Sequence, residues 1–209
     1  MSYIIGSMRS LLLFLTPLLL TIAATALAQN PPPAFKSSGT VMAPVTIELY
    51  TDFQCPHCRA FYMEVLPQLT AEFIKTGKVR LIHRDFPLPQ FQYSRTAMHF
   101  ANAAGQIGKY DAVATQLFET QPDWAQNGNV EAAVAKVLTP AELEKVKTII
   151  KTDTHLDDSV ARDVETATTV DHLTATPTVV IVHKGKRETV SGGVTFPLLK
   201  TYLNDKLSE

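Results

Sequence analysis

The chain has 209 residues, 19 basic and 20 acidic side chains, a formal net charge of −1 and 45% hydrophobic residues. That balance, with no basic run, offers nucleic acid or an anionic membrane surface no electrostatic grip. With only two cysteines, the chain is not a small disulfide-scaffolded domain, and its fold must rest on an ordinary apolar core.

In chain order, residues 11–20 are almost unbroken apolar. Ala26-Leu27-Ala28 then places small residues at the spacing of an export cleavage site. Residues 1–28 therefore read as a signal peptide, with an uncleaved anchor over 11–28 as the alternative. Residues 29–44, rich in proline and polar side chains, are expected to be an extended lead-in. Residues 45–50 are β-branched and aromatic, a strand. From Cys58 onward, Phe61, Tyr62, Val65, Leu66, Leu69, Phe73 and Ile74 recur at helical spacing. Pro67 should kink that helix or sit on its outer side, and Gly77 should stop it. Residues 79–83 form a second strand, which makes a βαβ unit with parallel strands.

From about 92 to 173 the pattern is helical, with helices expected over 95–107, 110–120, 130–137, 140–151 and 157–173. Thr139-Pro140-Ala141-Glu142 has the residues of a capping box with proline at the first helical position. Residues 178–182 and 188–191 form a hairpin around Lys184-Gly185-Lys186, and residues 196–207 a closing helix. The predicted class is α/β, a βαβ…ββα order with an inserted helical subdomain, and the domain runs over 45–208.

Both cysteines lie in Cys55-Pro56-His57-Cys58. A bridge that closes so short a loop removes little unfolded-state entropy and is a poor staple. Cys55 at a strand–helix junction would face the unpaired N–H groups and positive dipole end of the first turn, which favour a thiolate. His57 can add a donor or a charge, and Pro56 and His57 together modulate the pair. Cys58, one turn in, should be buried and remain a thiol. The two would then serve as nucleophile and resolving thiol through a mixed disulfide. A three-unit fall in the Cys55 pKa stabilises the reduced form by roughly 2 kcal/mol at pH 7, or ~45 mV. Asp52, three residues earlier, opposes that fall, and Arg59 is the nearest fixed cation.

The run from Thr51 to Cys58, Phe61 and Leu66 after it, Arg84-Asp85-Phe86-Pro87, and Thr176-Pro177-Thr178 resemble the DsbA-like branch of the thioredoxin superfamily. The resemblance spans about 41–207 and implies a thioredoxin-like fold, with Cys55 attacking, Cys58 resolving and the pair forming a redox-active disulfide. It implies a cis Thr176–Pro177 bond packed against that disulfide, with Thr176 and Pro177 binding an extended substrate. Composition alone would make Pro177 a trans proline opening a strand. The family's buried acid, six residues before the first cysteine, is replaced by Leu49. Glu48 is one place earlier and, by strand alternation, should point away from Cys58.

The expected function is a protein disulfide oxidoreductase in the periplasm or another extracytoplasmic space. Its clients would be unfolded or newly exported cysteine-containing proteins, and the resemblance implies a membrane quinone-linked protein that reoxidises it. Neither metal nor cofactor is expected, since two cysteines and scattered histidines make a poor zinc set. A reductase or isomerase using the same site is the nearest alternative, and a chaperone or peptide-binding module with incidental thiols is the alternative of another class. Superfamily isomerases carry an added dimerisation domain for which 29–45 leaves no room, so a monomer is expected. His83, His99, His155, His172 and His183 are expected to be solvated or capping groups, and Arg84 and Asp85 a surface or interface contact. Phe53, Tyr62 and Phe196 could line a substrate patch or pack in the core. Gly192-Gly193 should form a strand-ending turn.

Overall fold

The computed structural model describes residues 32–209. The expected signal peptide over 1–28 lies outside the described residues. The lead-in does more than connect. A 3-10 turn over Ala34–Lys36 runs into strand β1, Ser37–Ser38, which pairs antiparallel with β3, Val79–Asp85. Phe35 packs so closely on Gly105 that a Cβ there would overlap its ring. Lys36 is fully buried.

β2, Val45–Thr51, pairs in parallel with β3, as the βαβ reading requires. On its other side lies β4, Thr178–His183, then β5, Lys186–Ser191, both antiparallel, which gives the order β1-β3-β2-β4-β5. The turn between β4 and β5 uses Lys184 and Gly185, both with positive φ, and Gly192 and Gly193 close the strand. The sheet is mixed and five-stranded, with helices around it, and the thioredoxin-like α/β expectation holds.

Between β2 and β3 the chain is helical but not one regular helix. α1, Pro56–Ala60, and α2, Leu66–Leu69, alternate with wide π turns over Phe61–Val65 and Thr70–Ile74. Pro67 lies on the exposed side, directly after the first wide turn. A proline cannot donate, and its ring would strike the carbonyl one turn back, so the widened turn absorbs both demands. Gly77, at φ +76°, ends the segment.

The insertion contains α3, Ser94–Gly105; α4, Tyr110–Glu119; α5, Gln121–Trp124; α6, Val130–Val134; α7, Pro140–Thr152; and α8, His155–Glu165. The Thr139–Glu142 capping box is fully formed. α6 is shorter than expected, α8 gives way to a π turn over Thr166–Val170, and α5 has no counterpart in the sequence reading. α9, Phe196–Ser208, closes the chain.

Strand alternation divides the sheet. Val45, Ile47 and Leu49 join the large apolar core that contains both cysteines, whereas Tyr50 and Val180 join a small cluster on the other face. The buried polar side chains correct two expectations. Arg84 and Asp85 are not a surface contact but are buried in an ionic network. Lys36 pairs with Asp85 and Asp163, Arg84 with Glu48 and Asp163, and Arg187 with Glu48 and Asp171. Burial would strip the Lys36 charge, but the two carboxylates outweigh it and hold its pKa above the ordinary value. His83 is likewise not solvated. It lies between the Tyr62 and Tyr110 rings, and burial, with the charge of Lys36, pushes its pKa down to about 4. His99, His155 and His172 do reach polar partners, Asp157, Asp158 and the Thr168 carbonyl, whereas His183 is buried beside Glu209 rather than solvated.

Candidate active site

β2 delivers Asp52, Phe53, Gln54 and Cys55 into the protein at the carboxyl end of the sheet, all of them buried. The Cys55 N–H closes a turn on the Asp52 carbonyl at 3.1 Å, and the Cys55 carbonyl accepts the Arg59 N–H at 3.1 Å. Cys55 is thus the extended N-cap of α1, and Pro56 fills the first position, where a donor would go unused. The N–H groups of His57 and Cys58 are left to face the Cys55 sulfur.

The insertion holds this turn in place. Gln121 Nε2 donates to the carbonyls of Phe53 and Cys55 at 2.7 and 3.0 Å. Gln54 Nε2 donates to Ala125 O at 2.7 Å and its Oε1 accepts from Tyr93 N at 2.8 Å, while Arg59 Nε donates to Phe118 O at 2.9 Å. Arg59 is therefore committed to a carbonyl rather than to the sulfur. Gln54 and Gln121 were not singled out from the sequence. Their partners lie up to 71 residues away, and a lone glutamine carries no local signal.

Both cysteines are free thiols, Cys55 3% exposed and Cys58 not at all, so only Cys55 reaches the surface. The Thr176–Pro177 bond is cis, and the Thr176 carbonyl lies 3.6 Å from Cys55 Sγ. The Asp52 N–H donates to Cys58 Sγ at 3.4 Å. The expected site residues Cys55, Pro56, His57, Cys58, Thr176 and Pro177 thus meet at one end of the sheet.

The two sulfurs titrate apart. A hydrogen bond from the Cys58 thiol, joined by the amides of Cys58 and His57, outweighs burial and lowers the Cys55 pKa to about 5. Cys58 moves well above its ordinary value through burial, the hydrogen bond to Cys55 and the Cys55 charge. The expected direction holds, but the leading cause is the neighbouring thiol rather than the helix end. The buried Thr176 hydroxyl has no hydrogen-bond partner among the described residues, yet it lies close enough to both sulfurs to favour their thiolates.

Beside the pair runs a groove of about 360 Å³, lined by His57, Phe61, Glu64, Pro177, Val194 and Phe196 among others. His57 is exposed. Phe53 and Tyr62 do not reach the groove but pack on Phe118 with ring centroids 4.8 and 4.5 Å away. Glu48 points to the opposite face, where Arg84 and Arg187 hold it.

A family model described as Thioredoxin matches residues 36–192. Disulfide bond formation protein D of Bacillus subtilis is 28% identical over 151 residues, which cover 68% of this chain and 65% of that protein. Probable disulfide bond formation protein D of Bacillus cereus is 44% identical over 52 residues, about a quarter of either chain. The matched region is therefore short of two thirds of both relatives. Among solved structures, Wolbachia pipientis alpha-DsbA1 superposes with a TM-score of 0.70 at 21% identity, covering 85% of this chain and 93% of that one. Oxidised BdbD from B. subtilis gives 0.69 at 22%, covering 83% and 93%. Both show the same fold.

Proposed function

Because the chain belongs to the thioredoxin family, whose model matches residues 36–192, we propose that it is a thiol:disulfide oxidoreductase working in the oxidising direction. The observation that carries this reading is the split between the two sulfurs, Cys55 held down to about 5 and Cys58 pushed up. In the reaction, a client thiolate attacks the Cys55 sulfur of the Cys55–Cys58 bridge. Cys58 leaves and takes a proton. A second client thiolate then attacks the client sulfur of the mixed disulfide and expels Cys55 as a thiolate.

A stable Cys55 thiolate favours that final step and the reduced state. With a folded pKa of about 5 against an ordinary value of 9.0, the reduced form gains about 3 kcal/mol at pH 7, equivalent to ~60 mV. The raised Cys58 value costs nothing at that pH, because a thiol is what both the folded and the unfolded chain hold there. Thr176 and Pro177 would receive the extended client backbone beside Cys55, and Pro56 and His57 would set the amides around the sulfur.

The clients in this reading are cysteine-containing proteins newly delivered outside the cytoplasm, and a membrane quinone-linked protein restores the bridge. The names of the Bacillus relatives support that direction. Among the described residues no helix is long and apolar enough to cross a membrane; a monomer freed by signal cleavage is the form this reading expects. The test is to compare denaturant midpoints of the reduced and oxidised protein and to mix the oxidised form with a reduced, unfolded multi-cysteine protein. The reduced form should be the more stable and the client should gain bridges. A more stable oxidised form would reverse the direction toward a reductase.

A further inference from the structure

Asp52 is fully buried at the end of β2, and no cation pairs with it among the described residues. Its carboxylate is held by hydrogen-bond donors alone. Oδ1 accepts from the Gln54 N–H at 2.7 Å and from the Ser94 hydroxyl, and Oδ2 accepts from the Leu88 N–H at 2.7 Å. Two carboxylate oxygens offer about four acceptor positions. Three are taken, and the free one is on Oδ2, where a proton can settle without breaking any of these bonds. The same residue's N–H donates to Cys58 Sγ at 3.4 Å, so this carboxyl is one residue's length from the resolving sulfur.

We propose that Asp52 is a redox-linked proton site: it takes up a proton when the Cys55–Cys58 bridge is reduced and releases it when the bridge re-forms. The inference rests on the cycling proposed above for the same pair. Client dithiol gives up two electrons and two protons as its own bridge forms. The electrons open the Cys55–Cys58 bond, one proton stays on Cys58, and Cys55 keeps its negative charge. That new charge, placed beside an uncompensated buried carboxylate, raises the proton affinity of Asp52, which then holds a fraction of the second proton.

The physical balance agrees. Burial pushes the Asp52 carboxyl up to about 6, the bonds from Ser94, Leu88 and Gln54 pull it back, and the Cys55 charge pushes it up again. No other group competes for this role from the packed elements. On α1, His57 is exposed and Arg59 is bonded to Phe118 O. The segment 86–93 brings only Tyr93, whose N–H serves Gln54. On α3, Arg95 and His99 turn to Asp157.

The test counts protons taken up per bridge reduced, from the equilibrium with glutathione at successive pH values, with free thiols counted separately to establish that the bridge cycles. The wild-type count should be one at pH 8, rise clearly above one near pH 6, and rise again near pH 5 as Cys55 is protonated. Asp52→Asn should remove the rise near pH 6 and keep the one near pH 5, and His57→Gln should keep both. A wild-type count that stays at one down to pH 6, or a rise near pH 6 lost in His57→Gln and kept in Asp52→Asn, overturns the proposal. Should Asp52→Asn not fold, the wild type supplies the readout: a protonated-carboxyl band in the reduced-minus-oxidised infrared difference at pH 6 supports the proposal, and its absence refutes it. A bridge that fails to cycle at all refutes the oxidoreductase reading instead.

Discussion

Two clusters of buried charge beside β2 behave in opposite ways. In one, Lys36, Arg84 and Arg187 meet Glu48, Asp85, Asp163 and Asp171, and every carboxylate touches at least one cation. In the other, Asp52 and Cys55 are buried with hydrogen-bond donors and, among the described residues, no cation. Paired charges resist titration and fix structure, while unpaired ones have their proton affinities moved into the working range. A rigid anchor and a reactive site are therefore built around the same strand.

The largest effect that would test this division is on chemistry. Cys55→Ser should reduce bridge transfer to the uncatalysed background. Cys58→Ser, mixed with a client that already holds a bridge, should trap a mixed disulfide as Cys55 attacks that bridge and releases one client thiol, visible on non-reducing gels. A Cys55→Ser protein that still transferred bridges would move the site elsewhere.

Next in size is the anchor. Lys36→Met leaves Asp85 and Asp163 buried without their cation, which should cost about 3–5 kcal/mol of unfolding free energy. The Cys55 alkylation midpoint should stay within about 0.3 pH units. A shift of a full unit would show that the two clusters are coupled and the comparison wrong.

The pH dependence is of similar size and opposite in kind. Cys55 has a lowered pKa, so its contribution to the reduced form is complete above its ordinary value of 9.0 and vanishes below about 5. The stability difference, reduced minus oxidised, should therefore grow steadily from pH 5 to 9, reaching about 3 kcal/mol at pH 7. Asp52, raised to about 6, works the other way and offsets part of that gain between its ordinary 3.8 and 6. A flat difference across that window would mean that Cys55 titrates like a free thiol.

The division between the two clusters was only partly legible in the sequence. Local signals carried through: apolar spacing placed the βαβ unit and the hairpin, Thr139 and Glu142 made their box, and Cys55 capped its helix. What was missed depends on partners distant in the chain. Lys36 finds Asp163 across 127 residues, and Arg84 finds the same acid across 79. Nothing around Lys36 in a proline-rich lead-in marks it as a core residue. Asp52 was read as an unhelpful charge because its burial against Ser94 and Leu88 is a property of the assembled fold.

Glu48 gives the smallest expected effect on the site. It is nearest in number to the place where relatives of this fold keep an acid, yet Leu49, not Glu48, shares the apolar core with Cys58. Arg187 and Arg84 outweigh burial and keep the Glu48 pKa low, so it has no proton to lend near neutrality. Glu48→Gln keeps one acceptor oxygen but turns an amide toward an arginine, and should cost about 1–3 kcal/mol of stability. The rate at which Cys58 leaves or attacks, read by stopped-flow decay of a mixed disulfide, should change less than about twofold, well under 1 kcal/mol of barrier. A tenfold slowing would mean that a proton crosses the sheet from the anchored face, and the matched charges there would have to be counted as part of the chemistry.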